Sequence, residues 1–83
     1  MSDVVLVIDM VGGFCEEGHP LFTGPAAREI IPHIQRLFAD QRAQDALAIF
    51  LCDNHDPDDL EFRMFPPHCI RATEEAEVVP ELR

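Results

Sequence analysis

Two runs of apolar residues, separated by one amphipathic stretch, determine the fold that this sequence predicts. The first run is Val4–Ile8 (VVLVI) and the second is residues 46–52 (ALAIFLC). Neither run alternates with polar residues, and such continuous hydrophobicity is typical of strands in a parallel sheet that is covered on both faces. The two runs are therefore predicted to be neighbouring buried strands.

The stretch between the two runs predicts a helix over residues 26–41. Its apolar residues recur at helical spacing and would form one face against the sheet; they are Ile30, Ile31, Ile34, Leu37 and Phe38. Pro32 lies within this stretch, so either the regular helix begins near residues 28–31 or it is kinked there. A strand, a helix and a second strand in this order form a βαβ unit with a right-handed crossover.

Two further segments have weaker local signals. Residues 12–15 (GGFC) are predicted to be a glycine-rich loop, but they lack the spacing of a phosphate-binding loop. Residues 73–77 (TEEAE) begin like a helix, with Thr73 as the N-cap and glutamates in the first turn.

Composition and charge exclude several classes of function. The chain has six basic residues, all arginine, against sixteen acidic ones, which gives a net charge of −10. Because no basic patch is available to neutralise phosphates, we expect no nucleic-acid partner. The amino-terminal residues lack the features of a secretory signal, and no segment is long and apolar enough to cross a bilayer. Three cysteines without a CxxC pair predict reduced thiols and a cytoplasmic location.

The segment after the second strand contains the candidate chemistry. Asp53 and His55 follow the carboxyl end of that strand, which is where open α/β sheets bind their ligands. Glu61 and His68 follow within the same segment. Two carboxylates and two imidazoles form a mixed ligand set that suits a divalent transition metal. The alternative is an ordinary solvated acidic loop.

These residues also resemble a known pattern. The motif D-x-H followed by F-P-P-H-C is similar to the metal segment of nicotinamidases, within the isochorismatase-like cysteine hydrolases. The resemblance implies that Asp53, His55 and His68 are metal ligands, and that Glu61 fills a fourth position used by some members. The cofactor it implies is a divalent ion, zinc first, with iron or manganese as alternatives. The implied substrate is a small amide such as nicotinamide.

The same family implies roles for two residues after the first strand. Asp9 matches the aspartate that activates the cysteine nucleophile, and Phe14 matches an aromatic residue that lines the substrate pocket. Asp9 as a loop cap and Phe14 as an ordinary core residue remain alternatives. Val11 stands where a haloacid dehalogenase would need a second aspartate, which excludes that class. The same resemblance makes Cys69 a non-catalytic neighbour of His68.

The family chemistry also needs a lysine and a nucleophilic cysteine, and this chain contains no lysine. Residues 1–83 are therefore expected to be the amino-terminal portion of a single isochorismatase-like domain. That domain is a three-layer αβα fold with a parallel sheet, of which this chain would form the βαβ part. We expect residues 1–83 alone to be inactive. Further sequence or a second chain would complete the domain, and a homo-oligomer is an alternative assembly. The alternative function is a non-catalytic metal-binding or interaction module.

Overall fold

The structure is a computed structural model that describes residues 3–42 and 45–83. Two strands and three helices come first along the chain, followed by three short 3₁₀ turns. The strands are β1 (Val4–Ile8) and β2 (Leu47–Leu51), the helices are α1 (Gly12–Cys15), α2 (Pro25–Glu29) and α3 (Ile31–Arg42), and the 3₁₀ turns are Leu60–Arg63, Glu74–Ala76 and Pro80–Leu82.

The two strands pair in parallel, as the apolar runs predicted. Their predicted burial is wrong within this chain, because only Val7 of β1 is buried and all five residues of β2 are exposed. Their register aligns Val4 with Leu47 and Ile8 with Leu51. The ladder continues one step further, because the backbone N–H of Asp9 donates to the carbonyl of Leu51 at 2.8 Å. Both strands therefore end at one edge of the sheet, which is where the candidate chemistry lies.

The predicted helix over residues 26–41 is two helices that meet at Ile30. Ile30 closes α2, and α3 begins directly after it. Pro32 falls in the first turn of α3, where its missing N–H leaves no intrahelical bond unmade. The break places the proline at a helix start rather than inside a kinked helix. None of the helices in residues 3–42 and 45–83 is long and apolar enough to cross a membrane.

The core lies on one face of the sheet. It is built by β1, the helices and the carboxyl-terminal segment, and its buried members are Val7, Met10, Cys15, Ile31, Phe38, Val79 and Leu82. Backbone bonds attach the carboxyl-terminal segment to the loop after β1. The N–H of Val79 donates to the carbonyl of Met10, and the N–H of Gly12 donates to that of Glu77, both at 3.0 Å.

The opposite face of the sheet is bare. Strand residues alternate between faces, and the parallel register aligns every second residue of β1 with its counterpart on β2. The aligned apolar side chains on this face are all exposed, and they are Val4, Leu6, Ile8, Leu47, Ile49 and Leu51. A parallel sheet normally has both faces covered, so this face has the character of an interface.

The predicted loop at residues 12–15 is wrong, because Gly12–Cys15 forms one helical turn. A Cβ on Gly13 would lie 2.5 Å from the Sγ of Cys69, and one on Gly12 would lie 2.6 Å from the carbonyl oxygen of Glu74. The two glycines therefore permit close packing against the carboxyl-terminal segment.

The helix predicted at residues 73–77 is only the turn Glu74–Ala76. The Thr73 hydroxyl does not cap it, because it donates to the carbonyl of Ile70 at 2.6 Å.

We predict that Gly13→Ala lowers the free energy of unfolding by about 1–3 kcal/mol, the usual cost of overpacking a dense interior. Urea denaturation of the protein that contains this chain measures the change. Cys69→Ala removes the sulfur that the new methyl group would meet, so the double variant should lose less than the sum of the two single variants. Strict additivity would contradict the close approach.

Candidate metal centre

The four predicted ligands come together just beyond the carboxyl end of β2. Asp53 and His55 follow the strand directly, Glu61 lies in the turn Leu60–Arg63, and His68 follows the Pro66–Pro67 corner. The location is the one predicted for this α/β edge. The side chain of His68 is almost entirely buried, with 4% of it exposed, whereas Asp53 and Glu61 are partly open to solvent.

The ligand atoms converge on a small volume. The Nε2 of His55 lies 2.9 Å from Oδ2 of Asp53 and 2.9 Å from Oε2 of Glu61. The Nε2 of His68 lies 3.3 Å from the same Asp53 oxygen and 3.5 Å from the same Glu61 oxygen. Asp53, His55 and His68 form one potential ligand group of this cluster, and His55, Asp59 and Glu61 form another.

One atom of the cluster is not satisfied by protein contacts. Oε2 of Glu61 is buried and has no hydrogen-bond partner among the described residues. It lies 2.9 Å from Nε2 of His55 but without the geometry of a hydrogen bond. An unpaired buried carboxylate oxygen is costly, and a cation among the four ligand atoms would remove that cost. The donor set and this oxygen therefore fit a divalent cation.

The Nδ1 atoms of both imidazoles are hydrogen-bonded to acceptors. The Nδ1–H of His68 donates to the carbonyl of Pro66 at 2.8 Å, and the Nδ1–H of His55 donates to Oδ2 of Asp59 at 2.9 Å. Nε2 of His55 is also hydrogen-bonded to Oδ2 of Asp53 at 2.9 Å. Once a cation replaces a proton on Nε2, a neutral imidazole with its proton on Nδ1 presents the lone pair of Nε2 to the ion. Outer contacts of this kind orient histidine ligands in metal sites.

A short backbone ladder joins the two histidine segments. His55 and Ile70 form a parallel bridge. The N–H of His55 donates to the carbonyl of Cys69 at 2.9 Å, and the N–H of Arg71 donates to the carbonyl of His55 at 2.8 Å. The bridge fixes the spacing of the two imidazoles without depending on their side-chain contacts.

Local charges shift two pKa values in this cluster. The hydrogen bond to Asp59 is the main cause that raises the pKa of His55, against the opposing effect of desolvation. The backbone N–H of Glu61, followed by the side chain of His55, lowers the pKa of Asp59. Asp59 is therefore an ionised acceptor at neutral pH.

Cys69 has the wrong environment for a nucleophile. Its residue surface is fully buried, and burial is the main cause that raises the pKa of its thiol to about 12. The thiolate is the reactive form, so this cysteine stays inert near neutral pH. The burial and the raised pKa support the prediction that Cys69 is a non-catalytic neighbour of His68.

Aromatic rings surround the imidazoles. The ring of Phe14 lies 5.9 Å from that of His68, and Phe62 lies 5.5 Å from His68 and 5.4 Å from His55, measured between centroids. Phe65 is 6.5 Å from His68. The cluster therefore has an apolar border on the side of Phe14.

Asp9 and Phe14 line one open pocket of ≈ 330 Å³ beside this border, together with Met10, Cys15, Thr23, Ala27 and Ile30. Asp9 is exposed and takes the left-handed backbone conformation, with φ at 59°. Aspartate is among the residues that tolerate this conformation. Phe14 thus contacts both the pocket that holds Asp9 and the histidine cluster.

Sequence reasoning missed Asp59, Phe62 and Phe65. Asp59 directly precedes the turn Leu60–Arg63, and an aspartate in that place is a typical N-cap. Its neighbours Asp56 and Asp58 are equally acidic and give no local reason to choose among the three. The two phenylalanines follow no recognisable period within the loop.

The fold and the site together define a class of protein. A parallel βαβ unit with carboxylates and imidazoles at the carboxyl ends of its strands is an open α/β domain with its ligand site at the sheet edge. A family model for the isochorismatase domain matches residues 3–83. The chain belongs to the isochorismatase family.

Known relatives agree with this assignment. The chain is 37% identical to nicotinamidase 1 of Arabidopsis thaliana over 86 aligned positions, covering 95% of this chain and 34% of the relative. An isochorismatase-like hydrolase from Alkaliphilus metalliredigens superposes with a TM-score of 0.89 at 31% identity, covering all of this chain and 47% of the other. A nicotinamidase from Bacillus subtilis gives 0.84 at 34% identity, covering 99% and 46%. The chain thus spans between a third and a half of the length of these relatives. The three-layer fold class that was predicted is confirmed, with this chain forming its βαβ part.

Proposed function

We propose that residues 1–83 form the amino-terminal portion of an amidohydrolase domain that converts nicotinamide, or a similar small aromatic amide, to its acid and ammonia. The convergence of four ligand atoms beside the pocket of Asp9 and Phe14 is the observation that supports this proposal most directly. The nicotinamidases among the relatives support the choice of substrate class.

In this proposal Asp53, His55, Glu61 and His68 hold a divalent ion. Two imidazoles with two carboxylates favour zinc, and iron or manganese are compatible with the same donors. The bound ion would hold the ring nitrogen of the substrate and so orient the ring. Phe14 borders both the cluster and the pocket, and we assign it to the wall against which the ring packs.

Asp9 is assigned the role of general base. It accepts the proton of a cysteine thiol, and the thiolate attacks the amide carbonyl carbon to form a tetrahedral adduct. The carbon–nitrogen bond then breaks, ammonia leaves with the proton that Asp9 returns, and a thioester remains. Water hydrolyses the thioester to the acid and regenerates the thiol. A lysine near Asp9 would stabilise the developing negative charge.

In this proposal the lysine and the nucleophile come from outside residues 1–83. The chain has no lysine, Cys15 and Cys69 are buried, and Cys52 is exposed. Desolvation, followed by the charge of Asp9, raises the pKa of the Cys52 thiol, which disfavours the reactive thiolate. The bare face of the sheet supports the same conclusion, because a two-stranded sheet with six exposed apolar side chains needs further strands and helices. We assign this face to contact with the remainder of the domain, in the same polypeptide or in a second chain.

The test is ammonia release from nicotinamide, measured on the protein as isolated from its source. Native mass spectrometry of the same sample reports its mass and any bound metal. A mass above 9.4 kDa together with metal-dependent ammonia release would support the proposal. A species of 9.4 kDa that releases no ammonia would instead favour a metal-binding or interaction module, which the absence of lysine already makes the second candidate.

We predict that Asp53→Ala raises the KM for nicotinamide about tenfold or more and lowers kcat by a smaller factor. The reason is that a ligand whose ion positions the ring contributes mainly to binding of the substrate. Steady-state kinetics at fixed metal concentration measure both constants. Asp56→Ala is a suitable control, since Asp56 is an exposed carboxylate of the same loop that pairs with Arg71. Equal losses in kcat and kcat/KM would argue against the positioning role.

A further inference from the structure

Asp59 lies outside the set of proposed ligands, yet both of its carboxylate oxygens are used inside the cluster. Oδ2 accepts the Nδ1–H of His55 at 2.9 Å, and Oδ1 accepts the backbone N–H of Glu61 at 2.8 Å. Its side chain is 34% exposed, so it lies at the border between the cluster and solvent. Each oxygen therefore contacts a different residue that carries a ligand atom.

The contact with His55 keeps a proton on Nδ1 of that ring. An ionised carboxylate can only accept hydrogen bonds, so Nδ1 must be the donor. Nε2 of the same ring is hydrogen-bonded to Oδ2 of Asp53 at 2.9 Å and lies 2.9 Å from Oε2 of Glu61. A cation bound among these atoms would replace the proton on Nε2, and the contact with Asp59 would keep the remaining proton on Nδ1, with the lone pair of Nε2 directed at the ion. His68 is held in the same tautomer by a backbone carbonyl, and His55 depends on a side chain for it.

The contact with the backbone of Glu61 orients this second proposed ligand. Asp59 is the N-cap of the turn Leu60–Arg63, and its side chain accepts the N–H of Glu61 within that turn. The cap fixes the start of the turn and hence the direction in which the Glu61 side chain leaves the backbone. Oε2 of Glu61 is the buried, unpartnered oxygen of the cluster.

We propose that Asp59 is a positioning residue that prepares His55 and Glu61 together for binding the divalent ion. This inference rests on the metal centre of the proposed function. It adds a residue that contacts neither the ion nor the substrate and acts through two ligands at once. Loss of such outer contacts typically weakens metal affinity by 10- to 100-fold.

Asp59→Asn separates the two contacts. The amide oxygen of asparagine can still accept the N–H of Glu61, which leaves the NH₂ group facing Nδ1 of His55. That group donates, so it favours the tautomer with the proton on Nε2, where it blocks the lone pair. Asp58→Asn removes the same charge from the adjacent, exposed position and is the matched control. Circular dichroism confirms that both variants are folded.

The experiment measures Zn²⁺ affinity by competition with a chromophoric chelator, using the full protein that contains this chain. NMR of the Co²⁺-loaded protein follows the exchangeable imidazole N–H protons. We expect Asp59→Asn to lose about 10- to 100-fold in Zn²⁺ affinity and to lose or shift the His55 N–H signal, while the His68 signal persists. Asp58→Asn should stay within about twofold, because exposed charges are screened.

Two results would overturn the inference. One is that Asp59→Asn binds Zn²⁺ as tightly as Asp58→Asn, with both imidazole signals unchanged. The other is that the unsubstituted protein binds neither ion, which would also remove the metal centre. If the unsubstituted protein binds Zn²⁺ and Asp59→Asn behaves as expected, but no amide is hydrolysed, only the proposed activity fails.

Discussion

Asp9→Asn is expected to lower kcat for amide hydrolysis by about 10²–10⁴-fold, the usual contribution of a positioned general base. Asparagine has nearly the same shape but cannot accept the thiol proton. It also tolerates the left-handed conformation that residue 9 adopts, with φ at 59°. The fold, the Zn²⁺ affinity and the KM should therefore change little. Single-turnover acylation, with the thioester trapped by acid quench, isolates the affected step.

Asp3→Asn is the control for this variant. Asp3 is exposed at the opposite end of β1, and its backbone carbonyl, not its side chain, accepts the N–H of Leu47. It carries the same charge and should leave kcat unchanged. If Asp9→Asn retained kcat within a few-fold of the unsubstituted protein, Asp9 would be a loop residue and the nucleophile would have another base.

Leu6→Asp should disrupt completion of the domain. Leu6 is 55% exposed on the bare face of the sheet. If that face is covered in the complete protein, the substitution buries an unpaired charge, which costs about 3–5 kcal/mol. That corresponds to a loss of about 10²–10⁴-fold in the equilibrium between the completed and the open state. Thermal unfolding measures the effect in a single longer chain, and native mass spectrometry measures it for two chains.

Leu60→Asp makes the same chemical change at a residue that is 71% exposed in the loop after β2. It should leave assembly and thermal stability nearly unchanged. If Leu6→Asp were neutral, or raised solubility, this face would be open to solvent in the functional protein. The proposal that the remainder of the domain covers the face would then be wrong.

The strands and the location of Asp53 and His55 could be predicted for identifiable reasons. Val4–Ile8 is continuous in β-branched and apolar residues, a composition that favours a strand, and it is a strand although only Val7 of the run is buried in this chain. Asp53 and His55 follow the second strand so closely that the end of the strand places them. Pro32 is compatible with a helix start and with a kink, so the sequence does not distinguish the two, and the structure has the helix start, with Ile30 as the C-cap of α2 and α3 beginning at Ile31.

The rest depends on contacts that are distant in sequence. Gly12 and Gly13 are poor helix formers, so local propensity favours a loop at α1. That turn exists because the carboxyl-terminal segment pairs with it, through the bond from Gly12 to Glu77. The inward orientation of Asp59, among several acidic neighbours, likewise follows from where the backbone bridge places His55.

The backbone bridge between His55 and Ile70 has a consequence for the order of folding. All the proposed ligands lie within residues 53–68, and the bridge closes that segment on itself. Closing a short loop costs little entropy and is fast. The cluster can therefore form during synthesis, as soon as these residues emerge from the ribosome and before the sheet is completed. Under the proposed function, with the nucleophile in later sequence, metal loading would then precede the arrival of the nucleophile, and the bound ion would stabilise an intermediate that still exposes its apolar sheet face.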